Sequence, residues 1–166
     1  MHPAALPIPQ LLQECSVRRT RRSGPGGQRR NKVETAVVIE HQPTGISAEA
    51  SERRSQEENR QEALFRLRLT LAVESRLPVE MPHPASELWR RRCRDGKVLV
   101  NPRHDDFPAL LAEALDVLAS CGNDLKAAAE SLGCTPSQLT KLLQLERRAI
   151  AAVNQARERN GLHKLK

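Results

Sequence analysis

The chain has 166 residues and carries 27 Lys and Arg against 20 Asp and Glu, a formal net charge of +7. That length holds one ordinary domain, or a small domain with an appendage, and the charge suits a nucleic-acid or ribosomal partner. With Phe65, Trp89 and Phe107 as the aromatic residues and no Tyr, recognition of bases by stacking on an aromatic platform is not expected.

In chain order, residues 1–10 are Pro-rich and read as irregular, with a short helical turn over 11–15. Val17 to Arg21 reads as a strand leading into Ser23-Gly24-Pro25-Gly26-Gly27-Gln28. Adjacent glycines reach backbone angles closed to other residues and let a bulky ligand approach the main chain; Pro25 stiffens the approach. Between Ser16 and Lys32 there are six Arg, one Lys and no acid. The pattern is a tight tip inside a cationic sleeve, suited to insertion into something polyanionic. Asn31 to Thr35 reads as a helical turn.

Ala36 to His41 is a β-branched strand. Gln42-Pro43-Thr44-Gly45 fits a type I turn, and Ile46 to Ala50 alternates apolar and polar residues, completing a hairpin. A helix follows, with Ser55 and Glu58 at capping-box spacing, or with Ser51 beginning it one turn earlier. Ala63, Leu64, Leu67 and Leu71 form its core stripe, and Arg60, Arg66 and Arg68 its polar face. One sheet with one packed helix makes a small α+β unit.

Pro78, Pro82 and Pro84 mark a linker. The cluster Trp89 to Arg94 suits either a solvated face or rRNA contact, Asp95-Gly96 a turn, and Lys97 to Val100 a short strand. Asp106 is placed to cap a helix over 108–120. A second short helix runs from Asp124 to Leu132, and a third, capped by Thr135 with Pro136 first, continues to about Arg159. The stretch Ala127 to Leu139 looks like a helix-turn-helix. Ser137, Gln138 and Lys141 are available to read DNA, but residues 104–166 carry eight basic and eight acidic groups, so packing or protein docking over 105–160 is the preferred use. The boundaries expected are 1–76 for the sheet-and-helix domain, 77–103 for a Pro-rich, basic linker region and 104–166 for a helical region.

Four dispersed cysteines without a C-x-x-C pair fit reduced, mostly buried thiols in the cytoplasm. No metal or cofactor is expected, His41, His83 and His104 being isolated. No apolar run has signal-peptide or membrane length, so no membrane partner is expected.

Hydrolysis of an ester needs a placed water, a stabilised oxyanion and protons moved to the leaving oxygen. Residues 23–32 hold no carboxylate, His or Cys. They offer backbone N–H groups, an amide side chain and fixed geometry, which fits a catalyst that completes another active site.

The blocks Ser23 to Gln28, Asn31-Lys32, Pro43-Thr44-Gly45-Ile46, and Arg54-Ser55-Gln56 with Asn59 resemble the catalytic (GGQ) domain of class-I peptide chain release factors. The nearest kind is the codon-independent peptidyl-tRNA hydrolases that rescue stalled ribosomes. The resemblance covers about residues 17–75. It implies a release-factor-type α+β domain whose tripeptide enters the peptidyl transferase centre, with the large-subunit rRNA and peptidyl-tRNA as partners. Gly26 and Gly27 would supply the conformation. Gln28 would give its main-chain N–H to the transition state or leaving group and its side chain to the water. Arg21, Arg22, Arg29, Arg30 and Lys32 would neutralise RNA phosphates. Family members often have His-Val where Arg29-Arg30 stand, and the rescue hydrolases typically end in a strongly basic tail, whereas residues 104–166 are neutral. About 16 residues precede the catalytic stretch, which leaves no codon-reading domain there and makes codon-directed termination an unexpected role. The alternative is a non-catalytic ribosome-, RNA- or DNA-binding protein using the basic loop and the helix-turn-helix-like region.

Overall fold

The computed structural model describes residues 1–20 and 35–166. It divides into two compact units, residues 3–71 and 72–166, with Met1 counted in the first and His2 in the second. The class is α+β, as the element pattern implies: a small sheet with packed helices, then a helical region.

The first unit begins with a 3₁₀ turn over Pro3–Ala5 and helix α1, Ile8–Gln13. Strands β1 (Cys15–Thr20), β2 (Ala36–His41) and β3 (Ile46–Ala50) form an antiparallel sheet in the order β1-β2-β3. β2 is central because it is the most apolar, and Ala36, Val37, Ile39 and His41 are buried along it. The β2–β3 turn opens one residue earlier than its sequence suggests. The His41 carbonyl accepts from both Thr44 N (3.3 Å) and Gly45 N (2.8 Å). Gly45 takes a positive φ of 70°, a backbone conformation that glycine adopts at little cost.

Helix α2, Gln56–Glu74, starts where expected, with Ser55 Oγ accepting from Glu58 N at 3.4 Å. Its buried stripe is Asn59, Ala63, Leu67 and Leu71 at spacings of four, while Leu64 is half-buried. Arg68 does not join the polar face. It is 7% exposed, and its Nε and Nη2 each donate to the Ala4 carbonyl at 3.1 Å. A guanidinium meets the needs of a carbonyl in the 3₁₀ turn while its stem packs with the apolar stripe.

In the second unit, α3 (Glu87–Arg92) runs into a two-stranded ribbon, β4 (Cys93–Arg94) and β5 (Lys97–Val98). Helices α4 (Phe107–Ser120), α5 (Leu125–Ser131), α6 (Pro136–Gln144) and α7 (Arg147–Arg159) follow. The core centres on α4, whose apolar residues are buried nearly all round. Trp89 is fully buried against this unit, its Nε1 donating to the Leu132 carbonyl at 2.7 Å.

Two expectations fail here for the same reason. Asp106 precedes α4 but makes no side-chain cap, because its carboxylate accepts from Arg92 Nε (2.8 Å) and Nη2 (2.6 Å). The single helix expected from Pro136 to Arg159 is broken at Leu145-Glu146. The α6 end tightens into i→i+3 bonds, Leu145 N to Leu142 O and Glu146 N to Leu143 O. Glu146 then turns extended, and its side chain caps α7 by accepting from Arg148 N. In each case an acid that looked like a cap, or like helix interior, is claimed by a different donor.

Candidate functional site

The residues singled out as catalytic, Gly26, Gly27 and Gln28, and as RNA-binding, Arg21, Arg22, Arg29, Arg30 and Lys32, lie outside the described residues. So does most of the helical turn expected over 31–35. What the structure gives is their frame. β1 and β2 pair in register from Cys15–His41 to Thr20–Ala36. The last pair holds the two ends of the intervening chain at cross-strand distance, about 5 Å between Cα atoms.

Asn59 secures the returning end. Its Nδ2 donates to the Thr35 carbonyl at 2.7 Å and to the Arg53 carbonyl at 3.0 Å. Its Oδ1 accepts from Arg53 N at 2.9 Å. The side chain is fully buried, so one amide ties the residue before β2 to the chain entering α2. Sequence reasoning noted Asn59 as part of a pattern but missed this task. The signal was present: an amide occupies the first position of an otherwise apolar i, i+4 stripe.

The turn block has a similar structural use. His41, 1% exposed, meets Thr44 Oγ1 at 2.8 Å through Nδ1 and Glu14 Oε2 at 2.9 Å through Nε2. It is a satisfied core histidine that joins the α1–β1 corner to the hairpin. Arg66 makes the corresponding tie between β3 and α2, donating to the Glu49 carbonyl and Glu52 Oε1, each at 2.8 Å, and to Glu62 Oε1 at 3.1 Å. The hydrogen bond from Arg66 holds the Glu52 carboxyl below its ordinary pKa. Burial pulls the Arg66 guanidinium down, but the two carboxylates outweigh it and its pKa rises.

Beside the loop frame lies an open groove of about 610 Å³ lined by Val17, Arg19, Val37, Gln56, Glu57 and Arg60. Val17 pairs with Ile39 and Arg19 with Val37, so these side chains share the sheet face on which β2 is buried. Val17 is nevertheless 43% exposed, because that face of the edge strand is incompletely covered. On the other face Arg18 reaches Glu40 at 3.4 Å, an exposed pair of little energetic weight. Among the described residues no group of three His, Cys, Asp or Glu side chains is arranged to hold a metal. All four cysteines are free thiols. Cys134 is the buried one, with burial pushing its pKa up to about 12; the other three are half-buried.

The described frame is a cationic edge strand paired to β2, with the residue before β2 tied through Asn59 to the helix behind the sheet. Residues 10–98 match the family model of the RF-1 domain. This is more than half of the chain, which therefore belongs to the class-I peptide chain release factor family. Among curated relatives, it is 48% identical over 61 residues to the chloroplastic peptide chain release factor PrfB1 of Arabidopsis thaliana, covering 37% of this chain and 13% of that protein. It is 48% identical over 50 residues to an uncharacterised mitochondrial peptide chain release factor-like protein of Saccharomyces cerevisiae, covering 30% and 32%. It is 46% identical over 56 residues to peptide chain release factor 1 of Xylella fastidiosa, covering 34% and 16%. The matched stretches span at most 32% of these relatives. No helix among the described residues is long and apolar enough to cross a membrane.

Proposed function

We propose that the protein is a codon-independent peptidyl-tRNA hydrolase acting within the ribosome, in the manner of a rescue factor. The observation that supports this most directly is the frame. Gly26-Gly27-Gln28 falls in the segment bounded by the Thr20–Ala36 pair and the Asn59–Thr35 bond, inside the stretch matched by the RF-1 domain. A catalytic tip that completes an RNA active site needs a fixed base more than acid–base groups of its own.

In this reading water adds to the ester carbonyl carbon, and the bond from that carbon to the tRNA ribose oxygen breaks. The peptide leaves with a free carboxyl group, and a proton from the water ends on the ribose hydroxyl. Gly26 and Gly27 let the main chain approach the ester. The Gln28 N–H stabilises developing negative charge and its side chain orients the water. Proton transfer falls to tRNA and rRNA groups. Arg21, Arg22, Arg29, Arg30 and Lys32 neutralise phosphates of the large-subunit rRNA and the tRNA. The proposed place of action is the cytoplasm, without a membrane partner, and the helices over 105–160 offer a surface for a protein partner.

The test is release of labelled peptide from ribosomes carrying peptidyl-tRNA, with a vacant A-site codon position, a sense codon or a stop codon. The expected result is release that ignores the codon and falls about 100-fold or more in Gln28→Ala, with ribosome binding kept. Release confined to stop codons overturns the codon-independent reading. Ribosome binding with no release from any substrate favours the non-catalytic binding reading.

A further inference from the structure

A second concentration of positive charge lies in the helical unit. Arg90, Arg91, Arg94, Lys97 and Arg103 are exposed there, against Glu87 and Asp95 within the same stretch. Among the described residues Arg90, Arg94, Lys97 and Arg103 form no ion pair, whereas Arg92 is held by Asp106 and Arg91 stands 4.0 Å from it.

The ribbon geometry orients this charge. Cys93 pairs with Val98 and Arg94 with Lys97. Register partners share a face and successive residues alternate. The Cys93 Sγ lies 3.6 Å from the Gly133 carbonyl, so the Cys93–Val98 face turns toward the α5–α6 turn and the Arg94–Lys97 face turns to solvent. The tip is a two-residue Asp95-Gly96 turn with φ of 49° and 72°, the twist that matches paired strands. The ribbon is pinned rather than loose. The Gly96 carbonyl accepts from Thr135 N at 3.2 Å, and the neighbouring helix is fixed through Trp89 to the Leu132 carbonyl.

Like charges directly opposite each other destabilise a two-stranded ribbon, yet Arg94 and Lys97 stand so, with no acid bridging them. We propose that α3 and the β4–β5 ribbon form a second RNA-binding surface, which grips the phosphate backbone of structured RNA through Arg90, Arg94 and Lys97. The surface offers cations and no exposed aromatic ring, so it holds backbone without reading sequence. The choice of RNA over other polyanions rests on the ribosomal reading above.

The experiment measures binding of the full chain to a short RNA duplex over a salt series, comparing wild type, Arg90→Ala/Arg94→Ala/Lys97→Ala and Arg90→Lys/Arg94→Lys. A thermal melt by circular dichroism verifies that each variant is folded. The alanine variant is expected to bind about tenfold or more weakly, with the slope of log K on log salt reduced by about 3, while the lysine variant stays near wild type. Unchanged affinity and slope in the alanine variant overturns the proposal. So does an unchanged RNA affinity accompanied by lost binding to poly-glutamate, which points to an acidic protein partner. Peptide release is measured on the same proteins. Wild type that binds the duplex through these residues but releases no peptide leaves this surface standing and removes the hydrolase reading. Release by wild type with no effect of the alanine variant on RNA binding does the reverse.

Discussion

The sheet unit and the helical unit stabilise themselves differently. In the first, the buried side chains include His41, Asn59 and Arg68, and each bonds to chain distant in sequence: Glu14, Thr35 and Ala4. In the second, the core is a continuous apolar cluster around α4, with Asp116 buried in it accepting from Arg76 Nη1 (2.9 Å) and Leu77 N (3.1 Å). A three-stranded sheet with one main helix has too little apolar surface to fix its turns and ends by burial. Directed hydrogen bonds do it instead. The helical unit has enough apolar surface to rely on packing, and its polar ties serve mainly to place helix ends, as when Ser86 caps α3 while giving its own N–H and hydroxyl to Glu113.

The largest effect that would sharpen this contrast is expected from Trp89→Ala. Loss of a fully buried indole and its bond to Leu132 should cost about 3–5 kcal/mol, read as a lowered urea midpoint for the helical signal. A cost under about 1 kcal/mol would show that packing is not what holds the second unit. Next is Asn59→Ala, which strands the Thr35 and Arg53 backbone groups at a cost of about 2–3 kcal/mol. In this variant the fluorescence of Trp89, which sits in the other unit and is the single tryptophan, reports the helical unit separately. A shift in circular dichroism without a matching shift in fluorescence is expected; coincident shifts would erase the distinction drawn here.

The smallest effect is electrostatic. Because Arg66 lowers the folded-state pKa of Glu52, their pair adds stability above the unfolded carboxyl pKa and loses it as pH falls through the lowered folded value. Exposure of both partners keeps the contribution below about 1 kcal/mol. Glu52→Gln should therefore melt slightly lower than wild type at pH 7, with the gap closing as pH falls through the lowered folded-state value. A gap that persists in acid would assign the effect to something other than charge.

Much of this fold is legible in the sequence where the deciding interactions are local. The β-branched run at 36–41, the Ser55 and Thr135 caps, and the Gly133 turn between α5 and α6 all depend on neighbours within a few residues. The misreadings lie where a distant partner decides. Arg68 looks solvent-facing until the Ala4 carbonyl is brought to it, and Asp106 looks like a cap until Arg92 takes its carboxylate. Trp89, within the 77–103 region, gives its Nε1–H to the Leu132 carbonyl more than 40 residues away, a tie that no local pattern announces. At the candidate site the chemistry-bearing residues were named from pattern and resemblance alone. The means of holding their frame was hidden in one amide at a core position.

The Thr20–Ala36 pair and the Asn59–Thr35 bond also bear on how such a domain changes over time. Both ends of the intervening segment are fixed by contacts that do not involve it. The strand pair and the Asn59 bond set where the intervening sequence leaves and rejoins the sheet, so a change of sequence between them leaves the scaffold's own bonds in place.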